Sequence, residues 1–361
     1  MSEIFPTDRP PITHVVSRDD SGNARTGYPS KLTIASLALA AGAVGLALAS
    51  RYRSRYSFEN KVVVITGGSR GLGLVLAREL ASRGASLGLI ARDAIELARA
   101  RRTIDSESLV QLLPADVTDP AQVEQAFSTV IRRFGRIDAV INNAGQILSA
   151  PFDDTTKEDF RAMLDVHFWG TLHVSRAALP HLARHGEGRI INICSIGGRV
   201  PIPHLSAYCA SKYAQAGLSA VMAEELRAKG IHVTTVLPGL MRTGSHLQAW
   251  FKGERSKEFA LFSLVGGAPV TSMSAERAAR LILGAASRGQ ADAVIPFTYR
   301  QIAKLSALAP NATIASLVAV NAALPGSRTR YATQGKHLHL PTLVKGVAVM
   351  NEKAADRNNQ R

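Results

Sequence analysis

The sequence predicts an α/β fold, a parallel sheet wound on both faces with helices. Three observations predict it. Short runs of Val, Ile and Leu, of which Lys61–Thr66 (KVVVIT) is the clearest, recur along the middle of the chain without polar alternation. Longer amphipathic stretches separate them, and the first run opens directly into a glycine-rich turn. Strands that are apolar on both faces must be covered on both faces, which is the habit of parallel sheets. A sheet of this kind takes its ligand at the carboxyl ends of its strands.

In chain order, residues 1–30 are rich in Pro, Asp, Arg, Ser and Gly without apolar periodicity, and read as a disordered leader. Leu32 to Ser50 carries no charged residue; its 19 residues as a helix would span about 28 Å, close to a bilayer's hydrocarbon core. The alternative is an Ala-rich helix packed on the globular domain. Lys31 flanks one end, and Arg51, Arg53 and Arg55 crowd the other, so a spanning helix leaves the folded domain on the cytoplasmic face. The stretch begins too far into the chain for a cleaved signal. Ala38, Gly42, Ala41 and Gly45 give it the small-residue spacing of a helix-pairing seam. Residues 31–56 are thus the expected anchor with its basic flank.

Residues 57–300 form the expected folded domain. Lys61–Thr66, Ala85–Ala91, Leu109–Ala115, Ile137–Asn142, Arg189–Ser195 and Ile231–Leu237 read as strands. Gly71–Arg83, Pro120–Phe134, Lys157–Leu182, His204–Lys229 and Ala275–Arg288 read as helices. Beyond residue 300, Ile302–Ala309 and Ala312–Leu324 are apolar and alanine-rich, fit for a membrane surface or a dimer face. From about Arg328 to residue 361 the chain reads as a loose polar tail.

The net charge of +15 admits three sources: nucleic acid, an anionic lipid surface, or arginine-rich usage. The basic residues are scattered rather than striped and aromatic residues make up only 6%, which excludes a nucleic-acid platform. With the Leu32–Ser50 segment, the charge favours membrane lipid as a partner. Two cysteines, Cys194 and Cys209, support no disulfide framework or metal site and read as small core residues.

The chemistry begins at Thr66-Gly67-Gly68-Ser69-Arg70-Gly71-Leu72-Gly73, between a strand and a helix. Glycines there let the backbone approach a pyrophosphate, which rests on the helix N-terminus. The spacing, with Gly67, Gly71 and Gly73, is similar to that of the short-chain dehydrogenase/reductase family, a Rossmann-type fold. Asn142-Asn143-Ala144-Gly145, then Ser195, then Tyr208-Cys209-Ala210-Ser211-Lys212, then Pro238-Gly239 with Thr243, follow in that family's order. The likeness covers about residues 58–300.

The resemblance implies a cofactor site of Gly67, Ser69, Arg70, Gly71, Leu72, Gly73, Asn143, Ala144 and Gly145. It also implies Asp116 and Val117 at the adenine, Pro238 and Gly239 after the sixth strand, and Thr243 at the nicotinamide carboxamide. It makes Ser195, Tyr208 and Lys212 catalytic. Tyr208 and Lys212 stand four apart on one helix face, where an ammonium favours the phenolate. Ser195 can hold the reacting oxygen.

The chain departs from the family at His167, in Asp165-Val166-His167-Phe168-Trp169-Gly170, where an asparagine is common. It is expected beside the active site, either keeping the backbone carbonyl's water relay to the lysine or shifting the pH profile. At the end of the second strand stands Ala91-Arg92-Asp93, with Arg70 in the turn. Two guanidinium groups suit a 2′-phosphate, so NADP(H) is expected over NAD(H); alternatively Asp93 caps a helix and Arg92 is incidental. Trp250, Phe251, Phe259 and Phe262 fall in the family's substrate lid and suggest an apolar, lipid-like substrate or core packing.

The expected protein is a membrane-tethered NADP(H)-dependent oxidoreductase acting on a small-molecule carbonyl or alcohol, with a homo-oligomer compatible. The layout resembles bacterial membrane-anchored members of the family. Its rivals are a catalytically idle NADP(H)-binding scaffold or sensor, and a dehydratase or epimerase.

Overall fold

Six of the apolar runs are strands of one sheet: β1 (Val62–Thr66), β2 (Ser86–Ala91), β3 (Val110–Pro114), β4 (Ala139–Asn142), β5 (Gly188–Ile193) and β6 (Ile231–Pro238). A seventh, β7 (Asp292–Ile295), completes it; at four residues it is too short to stand out in the sequence. The order is β7-β6-β5-β4-β1-β2-β3, every pair parallel, with Val63 beside both Leu87 and Ala139. The order reverses at β1 and β4, and that switch point is where a doubly wound sheet opens a crevice.

These are coordinates of a computed structural model that describes residues 55–104 and 109–360. The chain divides into two units, Met1–Arg53 and Ser54–Arg361, and the described residues belong to the second. The expected leader and the expected span Leu32–Ser50 lie outside them.

Helices cover both faces: α1 (Gly71–Ala81), α2 (Ala94–Arg101), α3 (Pro120–Phe134), α4 (Lys157–Leu164), α5 (Gly170–Ala183), α6 (Ser206–Glu225), α7 (Arg255–Gly267) and α8 (Ala275–Ser287). One face buries Leu74 and Leu80 of α1 with Ala278 and Ile282 of α8; the other buries Val123 and Phe127 of α3 with Val174 and Ala178 of α5. Each fully buried aliphatic side chain contributes roughly 1.5–3 kcal/mol. Asp119 caps α3 by accepting from Ala121 and Gln122 N–H, Pro120 opens it, and Gly135 ends it at φ 75°.

Two sequence expectations need correction. Lys157–Leu182 is not one helix: a π turn, Asp165–Trp169, separates α4 from α5. Gly170 sits so close to Val117 that a Cβ would lie 2.8 Å from its Cγ2, and the wider turn rotates His167 into the interior.

The loose polar tail is ordered instead. Thr333–Gln334 pairs with Trp250–Phe251, and α11 (Thr342–Arg357) packs on α7. Small residues make the fit: Ala354 and Ala355 are buried, although the segment's overall polarity hides them.

The lid aromatics mostly belong to the core. Phe251 and Phe259 are buried with Leu247, Ala249 and Ala355, Phe262 packs on them, and Trp250 alone of the four is exposed. The apolar segments after residue 300 lie in α9 (Phe297–Leu308) and α10 (Pro310–Asn321). Among the described residues no single helix is long and apolar enough to cross a membrane; α9 and α10 pass by composition only as a pair bent by 115°.

Candidate active site

A groove of about 550 Å³ opens at the carboxyl ends of β1, β4 and β5. Gly67 turns the chain after β1 at φ 64°, and a Cβ there would meet Ala144 at 3.0 Å. Gly73 faces the same turn, where a Cβ would come within 2.1 Å of Gly67 O. Thr66 Oγ1 accepts from the N–H groups of Asn143 and Ala144, and Asn143 Nδ2 donates back to Thr66 O and Gly67 O. The ends of β1 and β4 are thereby tied into one backbone cradle. Beneath it, Asn142 Nδ2 donates to Asn192 Oδ1 and Ser175 Oγ, a buried network linking β4, β5 and α5.

Most expected site residues line this groove: Gly67, Ser69, Arg70, Gly71 and Leu72 on one side, Arg92, Asp116 and Val117 at one end, and Asn143, Ala144 and Gly145 opposite. His167, Tyr208, Lys212 and Thr243 line its inner part. Gly73 supports the turn from behind. Pro238 and Gly239 do not line the groove: Gly239 gives room to the Tyr299 ring, which a Cβ would strike at 2.4 Å. Ser195 directly follows Ile193 and Cys194, which line the groove, and caps the turn Ile196–Gly198, its Oγ accepting from Gly197 N–H at 3.0 Å.

Tyr208 and Ser195 lie side by side: a Cβ at Gly197 would stand 3.4 Å from Tyr208 Cε1 and 3.5 Å from Ser195 Oγ. Burial pushes the phenol above its ordinary range, and the neighbouring Ser195 hydroxyl only partly opposes this. Tyr208 is thereby held as a neutral phenol, able to act as an acid. Lys212 is buried on the same helix face, its Nζ 5.9 Å from the centre of the Tyr208 ring, and burial lowers its pKa to about 8. Its Nζ donates to Ile193 O at 3.0 Å and to Gln215 Oε1 at 2.9 Å. Gln215 Nε2 in turn donates to Thr171 Oγ1. The sequence reading missed Gln215 and Thr171; the signal was Tyr208, Lys212 and Gln215 at positions i, i+4 and i+7 of a buried helix face.

His167 is fully buried and held from both sides. Ser211 Oγ donates to Tyr208 O, so its 2.8 Å contact with His167 Nδ1 receives that ring's proton. His167 Nε2 then accepts from Gln146 N–H at 3.2 Å. Burial and the Lys212 charge press its pKa well below the usual value. The ring is a neutral brace between the Gly145-Gln146 strap and the catalytic helix, edge-on to Tyr208. It does not titrate near neutrality, which removes the expectation that it shifts the pH profile.

At the outer end, Asp93 caps α2, accepting from Ile95 and Glu96 N–H. Arg92 reaches over the groove, largely exposed, 3.9 Å from Asp116. Arg70 is paired with Glu96, which also accepts from Ser69 Oγ. Glu96 is a second residue the sequence reading passed over. The cradle has room and donors for a dinucleotide: backbone N–H groups of the turn and of α1 beyond Gly71, whose own N–H donates to Asn358 O, no Cβ at the turn, and guanidinium groups at the far end. Burial pushes the Cys194 thiol up to about 11, in keeping with a core residue.

The short chain dehydrogenase family model matches residues 61–252. An oxidoreductase of Botryotinia fuckeliana, BOA17, is 40% identical over 52% of this chain and 69% of its own length. A protein of Arabidopsis thaliana named 11-beta-hydroxysteroid dehydrogenase-like 3 is 38% identical over 53% of this chain and 63% of its own. The structure of a gluconate 5-dehydrogenase from Burkholderia cenocepacia, in complex with NADP and tartrate, superposes with a TM-score of 0.60 at 27% identity, covering 69% of this chain and 98% of that one. The fold agrees with these matches, and the chain belongs to the short-chain dehydrogenase family.

Proposed function

We propose that the protein is an NADP(H)-dependent oxidoreductase that interconverts a carbonyl and an alcohol on a small molecule. The observation that carries this reading is Tyr208 on the groove beside Ser195, with the buried Lys212 Nζ 5.9 Å from its ring centre and the glycine-rich cradle alongside. The nicotinamide, when bound, supplies or accepts the hydride. Tyr208 gives its proton to the carbonyl oxygen in reduction, Ser195 steadies that oxygen, and Lys212 offsets the charge left on the phenolate. The main chain of the Gly67–Gly73 turn would hold the pyrophosphate, Asp116 and Val117 the adenine, and Thr243 the carboxamide.

Arg92 supports NADP(H) over NAD(H), since it is the freer guanidinium at the adenosine end and Asp93 is engaged as a cap. Arg70 carries its own counter-ion in Glu96 and contributes less. Ile147, Met241 and Trp250 on the groove favour a substrate with an apolar part, and a relative named for a steroid dehydrogenase is consistent with that. The exposed apolar residues of α9 and α10, together with Leu32–Ser50, favour attachment to the cytoplasmic face of a membrane or, less directly, a homo-oligomer.

The test is a panel of ketones, aldehydes and alcohols followed at 340 nm with the wild type and Tyr208→Phe. Turnover should vanish in the variant while NADPH binding, read by fluorescence, stays within about twofold. A variant keeping more than about a tenth of the wild-type kcat would place the acid elsewhere.

A further inference from the structure

We propose that the C-terminal residues Asn358–Gln360 form a third wall of the dinucleotide groove and hold the bound cofactor against the start of α1. The proposal rests on the reading of the groove as a dinucleotide site. Helix α11 delivers these residues. Its Asn351 Oδ1 accepts from Gly244 N–H at 3.1 Å, and Ala355 lies on Gly244, where a Cβ would come within 2.4 Å of its Cα. Asn351 and Ala355 are buried, so the helix is fixed beside Thr243 rather than draped on the surface.

Beyond α11 the chain runs onto the glycine-rich turn itself. Arg78 Nη2 donates to Arg357 O at 2.9 Å, and Gly71 N–H donates to Asn358 O at 2.8 Å. Asn359 Nδ2 donates to Ser69 O and to Glu96 O, bridging the turn to α2. Asn359 adopts φ 56°, a left-handed turn that asparagine tolerates, and this sends Gln360 back toward the groove. There Gln360 O accepts from Gln248 Nε2 at 2.7 Å. The Gln360 amide lies against the first glycine of the helix: Nε2 is 2.6 Å from where a Gly71 Cβ would stand. Gln360 lines the groove, is buried, and its Oε1 has no hydrogen-bond partner among the described residues.

Two features separate a wall from a plug. The groove still measures about 550 Å³ with the segment seated at its edge. The side chain at its edge is a neutral amide, which offers a donor to phosphate oxygen and an acceptor to a hydroxyl or amide, and so complements a dinucleotide instead of imitating its charge. A buried carbonyl oxygen without a donor costs free energy until a ligand supplies one. Seating the cofactor recovers that cost.

The experiment measures the NADPH dissociation constant by fluorescence for the full chain, Gln360→Ala, Asn359→Gly and a chain ending at Arg357. Asn359→Gly keeps the left-handed turn and removes only the bridge. Gln360→Ala should weaken NADPH about three- to tenfold, the worth of one ordinary hydrogen bond, and the shortened chain more than tenfold. Circular dichroism reports whether the shortened chain is folded; if it is not, the two point variants decide. Equal affinity in both point variants overturns the proposal. Tighter binding in any of them also overturns it, because the segment would then be an obstruction. A wild type that binds neither NADPH nor NADH overturns the dinucleotide reading itself, whereas binding that is equal in all forms overturns the wall alone.

Discussion

Lys212 has three N–H donors, and the protein engages two of them, on Ile193 O and on Gln215 Oε1. Gln215 is thereby a positioning residue: it aims the ammonium and, through Thr171, is itself aimed. Gln215→Leu keeps much of the volume and removes the acceptor. Lys212, already lowered to about 8 by burial, should then lose its proton more readily. In reduction the charged lysine favours the departing proton of Tyr208, so activity is supported below about pH 8 and lost above it. The variant should lose about tenfold in kcat at neutral pH, with its alkaline fall-off displaced to lower pH; Gln215→Glu should displace it upward. Profiles that superpose would reduce Gln215 to packing. His167 makes the opposite kind of claim, on stability. Its folded pKa lies well below the unfolded value near 6.5, so below that pH the unfolded chain binds a proton that the folded one refuses. Stability should fall as pH drops through 6.5. His167→Phe should flatten that slope while costing about 1–3 kcal/mol at pH 7.5, because Gln146 N–H loses its acceptor. Urea midpoints across pH 5 to 8 would check both.

Helices, strands and turns differ in how plainly the sequence announces them. Five of the six legible strands have both faces buried, which leaves runs such as Val62 to Ile65 without polar interruption, while β3 at the sheet edge is only half-buried. The cradle was legible because Gly67 and Gly73 leave no room for a side chain. Two elements were not legible for physical reasons. The π turn at Asp165–Trp169 costs one misplaced residue in an otherwise regular periodicity, and only the packing of Gly170 on Val117 explains it. Helix α2 is only eight residues long and buries just Leu97 and Ala100, yet it carries Glu96, the partner that restrains Arg70. That partner changes the weight given to the two arginines in choosing a cofactor. Arg92→Ala should weaken NADPH by roughly 1.5–3 kcal/mol, the worth of a charge-assisted contact, and leave NADH within about twofold. Parallel titrations with both cofactors measure it, and equal losses would show that Arg92 does not meet the 2′-phosphate.

At the scale of the whole molecule, apolar surface and charge ask for the same partner. Leu305, Leu308, Ile314 and Val318 are each more than half exposed on α9 and α10, and no charged residue occurs between Lys304 and Arg328. Among the described residues, helix α10 has none that is buried. Such a surface, on a protein of net charge +15, suits an anionic bilayer, with apolar side chains at the acyl boundary and Lys304 and Arg328 at the headgroups. The uncharged Leu32–Ser50 segment would add a span. Each contribution has its own signature in a vesicle sedimentation assay. The full chain should stay with anionic vesicles through about 1 M salt, where the Debye length is only about 3 Å and charge alone no longer holds. A chain beginning at Ser57 should still fold, bind NADPH and sediment at low salt, but be released as salt rises. Leu305→Glu with Val318→Glu in that shorter chain should abolish its low-salt binding, because two carboxylates at the acyl boundary cannot be accommodated cheaply. If salt alone releases the full chain, residues 32–50 do not span and the tether is electrostatic. If the shorter chain resists salt, α9 and α10 are the anchor by themselves. And if the double glutamate variant binds as well as its parent, the apolar pair faces something other than lipid, with a second copy of the chain the first alternative to examine by sedimentation equilibrium.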